Sequence, residues 1–176
     1  YNWFLAVLFP AAQLSIMPYN RVVRDLAGKP IDGVRAELAR LGSFDPVPAA
    51  PETGPGGFGG YLPGQWYRLA IDPTTINEQD PIKSLDAELL YDRVLAPILG
   101  IGEIRTDPRI DFVGGIRGAR ELERLVDGGQ AAIAFLLHPV RIDQVMTVAD
   151  GGGIMPPKTT WFEPKLKSGL FIHSLD

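Results

Sequence analysis

The second half of the chain alternates regularly between short apolar segments and amphipathic segments. The predicted elements are a strand at 110–113, a glycine turn at 114–115, a helix at 117–126, a strand at 131–137, a helix at 140–149 with Ile142, Val145, Met146 and Ala149 inward, and strands near 159–163 and 169–174. Strand–helix–strand alternation with short turns requires crossover connections, in which helices cover at least one face of a sheet. This half therefore predicts strand–helix–strand crossovers within a mixed sheet.

The first half predicts more strand than helix. The predicted elements are strands at 2–9, 13–17 and 44–47, a helix that starts at Pro30, a Pro- and Gly-rich loop at 48–60, a hairpin of two aromatic strands around Pro63 and Gly64, and a helix over 85–98 capped by Ser84 or Asp86. Neighbouring Trp66 and Tyr67 must point to opposite faces of this hairpin. The whole pattern predicts an α/β fold of the mixed α+β kind, with a mixed sheet and an aromatic hairpin in the middle.

The length of 176 residues fits one domain or one lobe of a larger protein, and an apolar content of 45% is enough for a core. The chain starts at Tyr1 rather than at a methionine and opens directly on an apolar segment. We therefore expect residues 1–176 to be the carboxyl-terminal part of a longer protein whose amino-terminal part is missing.

Charge and composition argue against several classes of protein. The net charge of −4 argues against nucleic-acid binding, which needs a basic face. The longest apolar run, WFLAVLFPAA, is too short to span a bilayer, so we expect no membrane association. The absence of cysteine excludes disulfides and thiolate metal sites and is typical of a cytoplasmic protein. Two histidines leave little for a zinc site, and we predict no metal-binding residues.

The segment 155–171, MPPKTTWFEPKLKSGLF, has the most unusual composition in the chain. Its three prolines stiffen the backbone, while three lysines and three hydroxyl groups supply charge and directed hydrogen-bond donors. We predict that this loop binds an anion through Lys158, Thr159, Thr160 and Lys165. A surface hairpin with solvated lysines and buried aromatic rings would explain the same residues, and both interpretations stay open.

Several other residues carry charge, or allow close backbone approach, near the predicted strands. The further candidates for the anion site are Arg21, Arg109, Gly114 and Gly115. The candidate catalytic residues are Asp107, Asp111 and His138. Each candidate also has a structural explanation: a solvated arginine, a tight glycine turn, a salt-bridged loop or a loop histidine. His173 alternates with apolar residues and is interpreted as structural.

Three segments carry a resemblance to a known family. These are LSIMPYNRVV at 14–23, RIDFVGG at 109–115, and AFLLHP followed by VMTVADGGGIMPPKTTWFEPKLKSGLFIH within 134–173. Together they resemble an uncharacterised bacterial and archaeal family, the "domain of unknown function 1015". The resemblance covers essentially the whole chain in order. Members of that family are about twice as long as this chain, so it resembles their carboxyl-terminal lobe.

The resemblance also implies an activity. The amino-terminal half of the family carries an Ala-Asp-Gly-His-His-Arg motif, which is similar to one in ParB/sulfiredoxin-like nucleotide-handling proteins, a group that includes free serine kinases. This motif would precede Tyr1 and is absent here. The resemblance therefore implies ATP-dependent phosphorylation of a small hydroxy amino acid such as serine, with ATP and magnesium as cofactors.

Two hypotheses of different classes follow. In the first, the lobe contributes to a phosphoryl-transfer site: Lys158, Lys165 and Arg21 balance phosphate charge, and Asp107 or Asp111 holds magnesium. In the second, the lobe is a non-catalytic module that completes the core against the protein's own amino-terminal domain or forms a homodimer. Convergence of the cationic side chains on one concave pocket would favour the first hypothesis, because like charges repel unless an anion lies between them.

Overall fold

The computed structural model describes residues 6–8, 10, 13–165 and 169. Eight strands and four helices follow one another in this part of the chain. They are β1 (Ser15–Met17), β2 (Tyr19–Val23), α1 (Ile31–Ala39), β3 (Gly42–Val47), β4 (Gly57–Leu62), β5 (Gln65–Ile71), α2 (Asp86–Leu90), β6 (Ile110–Gly114), α3 (Gly118–Asp127), β7 (Ile133–Leu136), α4 (Ile142–Asp150) and β8 (Trp161–Glu163). A π-helical turn over Tyr91–Leu95 continues α2.

Six strands form the main sheet in the order β3-β5-β4-β7-β2-β6, and β1 pairs with β8 in a separate two-stranded sheet. The fold is therefore of the mixed α+β class, as predicted. Every ladder is antiparallel, however, where a mixed sheet was expected. The predicted crossover exists: β6 and β7 run in the same direction and are joined through α3. Because β2 lies between them, their parallel course produces no parallel ladder.

The strands β4 and β5 pair directly across the Pro63-Gly64 turn, where Gly64 has a φ of 74° that favours glycine. Tyr61 lies opposite Trp66, and their ring centroids are 4.8 Å apart. Tyr67 points to the other face of the sheet and stacks on Phe44 at 4.5 Å.

Both faces of the main sheet are covered. On one face, α1 and α2 bury Val34, Leu38 and Leu90 against the strands. On the other face, α3 buries Leu122 and Val126. Each fully buried aliphatic side chain contributes about 1.5–3 kcal/mol of transfer free energy. Coverage on both sides explains why β7, with the sequence IAFL, is a continuous apolar run rather than an alternating one.

Two sequence predictions differ from the structure. The buried strand expected over 2–9 is not seen in its described part, because residues 6–8 have no regular structure and Leu8 is 91% exposed. In α4, Ile142 and Met146 are exposed, and Val148 fills the contact with Leu85 instead. Apart from Gly169, the strand predicted at 169–174, with His173, falls outside the described residues.

Candidate functional site

The site begins with Arg21 on β2, the strand next to the edge strand β6 of the main sheet. Strand alternation places Tyr19, Arg21 and Val23 on the face that α1 and α2 cover. The guanidinium donates from Nη1 to the Tyr19 carbonyl (2.7 Å) and from Nη2 to the Lys158 carbonyl (3.0 Å). It also lies over the ring of Phe112, its partner on β6, at 4.6 Å. Arg21 thus ties the 153–160 loop to the sheet.

Arg21 is a buried charge without a counter-ion. Its side chain is 1% exposed, and among the described residues no carboxylate lies within 4.0 Å of it. The Nε–H has no hydrogen-bond partner in that part of the chain. Burial lowers the pKa of Arg21 to about 9, an effect that the charge of Glu88 opposes, so the group is still a cation at neutral pH. A buried charge left unpaired costs several kcal/mol, so this arrangement favours the approach of an anion.

Two lysines of the loop lie over aromatic rings. Lys158 Nζ is 5.4 Å from the ring centroid of Tyr19, and Lys165 Nζ is 4.3 Å from that of Trp161. The two rings are 5.2 Å apart. We call Tyr19, Lys158, Trp161 and Lys165 the lysine–aromatic patch. Within the described residues neither lysine has a carboxylate within 4.0 Å, so the positive charge of the patch is uncompensated there.

The backbone at the patch is strained. Lys158 has a φ of 54°, which is uncommon for a residue other than glycine. Such conformations cost about 1–3 kcal/mol and cluster at functional sites. The Arg21 hydrogen bond to the Lys158 carbonyl and the bond from Thr159 Oγ1 to the Pro156 carbonyl (2.7 Å) hold the turn in this shape.

A cavity lies beneath the patch, and we call it the Arg21 cavity. The polar residues that line it are Tyr19, Arg21, Asp86, His138, Gln144, Lys158 and Thr159. Its enclosed part has a volume of about 20 Å³, room for one or two water-sized groups. The predicted loop residues Lys158 and Thr159 therefore meet Arg21 and His138 in one concave place, although they come from separate parts of the sequence.

Asp86 is a charged residue of this cavity that sequence reasoning did not identify as functional. The residue in the N-cap position of α2 is Leu85, so Asp86 is the first helical residue and not the cap. Its Oδ1 accepts the Gly56 N–H at 2.7 Å. Burial raises the pKa of Asp86 to about 6, and the Gly56 hydrogen bond, His138 and Arg141 act in the opposite direction. No local sequence signal marks Asp86, because its burial depends on the Pro- and Gly-rich loop that packs beside it.

The family model described as "Protein of unknown function (DUF1015)" matches residues 1–88, half of the chain. The chain belongs to this family. A comparison with the curated proteins gives no match.

Several solved structures are similar in part. They include a free serine kinase in complex with AMP (15% identity, TM-score 0.48, covering 86% of this chain and 55% of that one), a conserved hypothetical protein from Pyrococcus furiosus (14%, 0.46, 85% and 56%), and SbnI with a C-terminal truncation from Staphylococcus aureus (11%, 0.44, 88% and 52%). The chain spans about half the length of these proteins.

In this member of the family, Arg109 and Asp107 lie apart from the Arg21 cavity. Asp107 accepts from Arg109 Nε (3.2 Å) and Nη2 (2.9 Å), and Arg109 holds the pKa of Asp107 down to about 2. The same guanidinium donates to the carbonyls of Leu99 and Gly100. These bonds fasten the turn before β6, so three of the four predicted cations gather around the loop and Arg109 does not.

The remaining candidates lie at the edge of the site or outside it. A Cβ on Gly114 would be 2.3 Å from the ring of Trp161, and one on Gly115 would be 2.7 Å from Pro18. Gly114 therefore lets Trp161 of β8 pack on the end of β6, and Gly115 leaves room for Pro18. Thr160 is half-buried in the loop, and Asp111 is exposed with Oδ1 accepting the Phe112 N–H.

Neither a metal cluster nor a membrane helix is found in the described part of the chain. Among residues 13–165 no three acidic or histidine side chains converge in a way that could hold a metal ion. No helix described by the structure is long and apolar enough to cross a bilayer.

Proposed function

We propose that this chain supplies the anion-binding side of a phosphoryl-transfer site in a protein that phosphorylates a small hydroxy amino acid, such as serine, with ATP. The lysine–aromatic patch would hold phosphate. One observation carries the proposal: Arg21, Lys158 and Lys165 gather around one loop, and no carboxylate of the described residues lies within 4.0 Å of them.

The patch has the properties that phosphate binding requires. Phosphoryl transfer depends mainly on positioning and on neutralising the charge of the transferred group. The Lys158 and Lys165 side chains are exposed, so they are accessible to a ligand as large as a nucleotide. Arg21 lies below and fixes the Lys158 backbone, which keeps one ammonium group close to the ring of Tyr19. A phosphate between the lysines would supply the missing counter-charge.

Magnesium is not assigned to the described residues. The Asp107 carboxylate is occupied by Arg109 and by the Gly102 N–H, and Asp111 is exposed elsewhere. Carboxylates that hold magnesium need free oxygens close to the phosphate. These two aspartates do not meet that requirement, so no step of the proposal passes through the metal.

A non-catalytic role is the second candidate, and one observation favours it. Both Nη atoms of Arg21 bond to backbone carbonyls, and Trp161 packs on Gly114. These contacts are those of a structural fastening between the loop and the sheet. In this case the lysine–aromatic patch would contact the amino-terminal domain or a second copy of the protein.

The test is ATP turnover by the full-length protein that contains this chain. With ATP and L-serine, we expect ADP formation that drops by about tenfold or more in Lys158→Ala, because one charge-assisted contact is worth roughly 1.5–3 kcal/mol. The melting temperature should stay within a few degrees of the wild-type value, since Lys158 contacts the fold mainly through its backbone.

Arg105→Ala is the matched control. It removes a charge from an exposed turn outside the patch, and its turnover should equal that of the wild type. Full turnover in Lys158→Ala would contradict the phosphate assignment. The structural alternative would be supported if the wild-type protein turns over no ATP and Lys158→Ala changes the melting temperature or the assembly state.

A further inference from the structure

The Arg21 cavity differs from the lysine–aromatic patch in size and enclosure. Its enclosed volume of about 20 Å³ holds one or two water-sized groups, whereas the lysines of the patch are exposed to large ligands. We propose that the cavity binds a single monatomic anion of the size of chloride, held by the guanidinium of Arg21. The inference goes beyond the proposed function, because phosphate is assigned to the exposed patch and the small anion to the cavity beneath it.

Arg21 carries a charge that the described residues do not neutralise. The side chain is 1% exposed, and none of their carboxylates lies within 4.0 Å of it. Its two hydrogen bonds end on the carbonyls of Tyr19 and Lys158, which carry no net charge. Electrostatic attraction is much stronger in a buried place than in water. An anion beside Arg21 would therefore offset the cost of burying the cation.

Arg21 also has hydrogen-bonding capacity left for such an anion. A guanidinium carries five N–H donors, of which the two carbonyls use one on each Nη. The Nε–H has no partner among the described residues. Lys158 lines the same cavity and adds a second positive charge. A water molecule would satisfy an N–H donor but would leave both charges uncompensated, so the charge balance favours an anion over water.

The acidic groups near the cavity do not take the place of this anion. Asp86 lines the cavity, and its Oδ1 accepts the Gly56 N–H. The carboxylate whose charge acts on the pKa of Arg21 is that of Glu88. Neither Asp86 nor Glu88 lies within 4.0 Å of the guanidinium. The position beside Arg21 is thus not filled by a carboxylate of the described chain.

The first test is thermal unfolding of the full-length protein in sodium chloride and in sodium gluconate. Mixtures of the two salts at a constant ionic strength of about 0.3 M keep charge screening equal. Gluconate is a large anion that the cavity cannot hold. We expect the melting temperature to rise by about 2–5 °C and to saturate as chloride replaces gluconate, because a ligand that binds only the folded state stabilises it. Sodium bromide should have the same effect.

A matched pair of variants separates the cavity from general salt effects. Arg21→Met removes the buried cation and keeps an unbranched side chain, so the rise with chloride should disappear. Arg24→Met makes the same substitution at an exposed arginine that does not line the cavity, and it should keep the full rise. If Arg21→Met does not fold, diffraction from bromide-grown crystals of the wild type decides, with an anomalous peak expected in the cavity beside Arg21.

Three results would overturn the inference. They are equal melting temperatures in chloride and gluconate at every mixture, a rise with chloride that persists in Arg21→Met, or bromide-grown crystals without anomalous density in the cavity. Each would mean that water, and not an anion, fills the space beside Arg21. The phosphate patch is tested separately by ATP, so failure of the chloride site leaves the proposed function standing.

Discussion

Arg21 is held by two backbone carbonyls, from Tyr19 and Lys158, and by the ring of Phe112. These contacts stabilise the position of the guanidinium without neutralising its charge. A hydrophobic side chain of similar volume would avoid the desolvation cost. The buried arginine at the centre of this strand therefore supports the proposed anion site, although its contacts also fasten the loop to the sheet.

At the same scale, we expect Asp86 to make the folded protein less stable at neutral pH than a neutral side chain would. Its pKa is raised from 3.8 to about 6 in the folded state. Between these pH values the folded chain binds more protons than the unfolded chain, so stability contributed by this group falls as the pH rises through the window. Asp86→Asn should therefore raise the free energy of unfolding at pH 7.5 by about 1–2 kcal/mol.

Thermal unfolding between pH 4 and pH 8 measures this effect. The gain in melting temperature of Asp86→Asn over wild type should be largest above the folded-state pKa of about 6 and should shrink as the pH falls below it. Asp111→Asn, at an exposed carboxylate, provides the baseline. A melting temperature of Asp86→Asn below that of wild type at pH 7.5 would show that the carboxylate stabilises the fold instead.

At the scale of elements, the site depends on how the 153–160 loop and β8 pack against β6. Trp161 of β8 lies directly on Gly114 at the end of β6, while its Nε1 donates to Glu163 at 2.5 Å. The same ring lies beside Tyr19 of β2. The Trp161 side chain of β8 therefore contacts both β6 and β2. The ammonium group of Lys165 lies over the face of the same ring.

Gly114→Ala tests this packing. The added Cβ would be 2.3 Å from the Trp161 ring, so the ring or the strand must shift. We expect a loss of about 1–3 kcal/mol in the free energy of unfolding, together with a changed tryptophan fluorescence spectrum. Gly102→Ala is the control, since a Cβ at that position meets nothing within 4 Å. Equal stability of Gly114→Ala and Gly102→Ala would contradict the described contact.

Sequence patterns predicted the elements better than their arrangement. Pro30 and the spacing of Val34 and Leu38 indicated α1, and the alternation after residue 110 indicated the crossover through α3. That β2 lies between β6 and β7 is a long-range pairing, on which local periodicity carries no information. The prediction of which α4 residues face inward was wrong, because several apolar residues of this short helix lie on its exposed side.

The residues of the candidate site were likewise predicted from the sequence only in part. Composition singled out Lys158, Thr159 and Lys165, because a basic, hydroxyl-rich loop stiffened by prolines is unusual. Asp86 escaped notice, since a carboxylate at the start of a helix is common and its burial depends on tertiary packing. Arg109 resembled an anion ligand in sequence and serves a local turn in the structure.

At the scale of the whole molecule, the described part of the chain is built on a six-stranded antiparallel sheet that is covered on both faces. The positively charged 153–160 loop packs beside the start of β2. The patch and the Arg21 cavity share this edge of the fold and share Lys158.

Calorimetric titration of the full-length protein with ATP tests the phosphate patch most directly. We expect saturable ATP binding by the wild type and by Arg105→Ala, and a loss of affinity of about tenfold or more when Lys158 and Lys165 are both replaced by alanine. Equal ATP affinity in the double variant and the wild type, or no ATP binding by the wild type, would contradict the account and leave the lobe as a structural module.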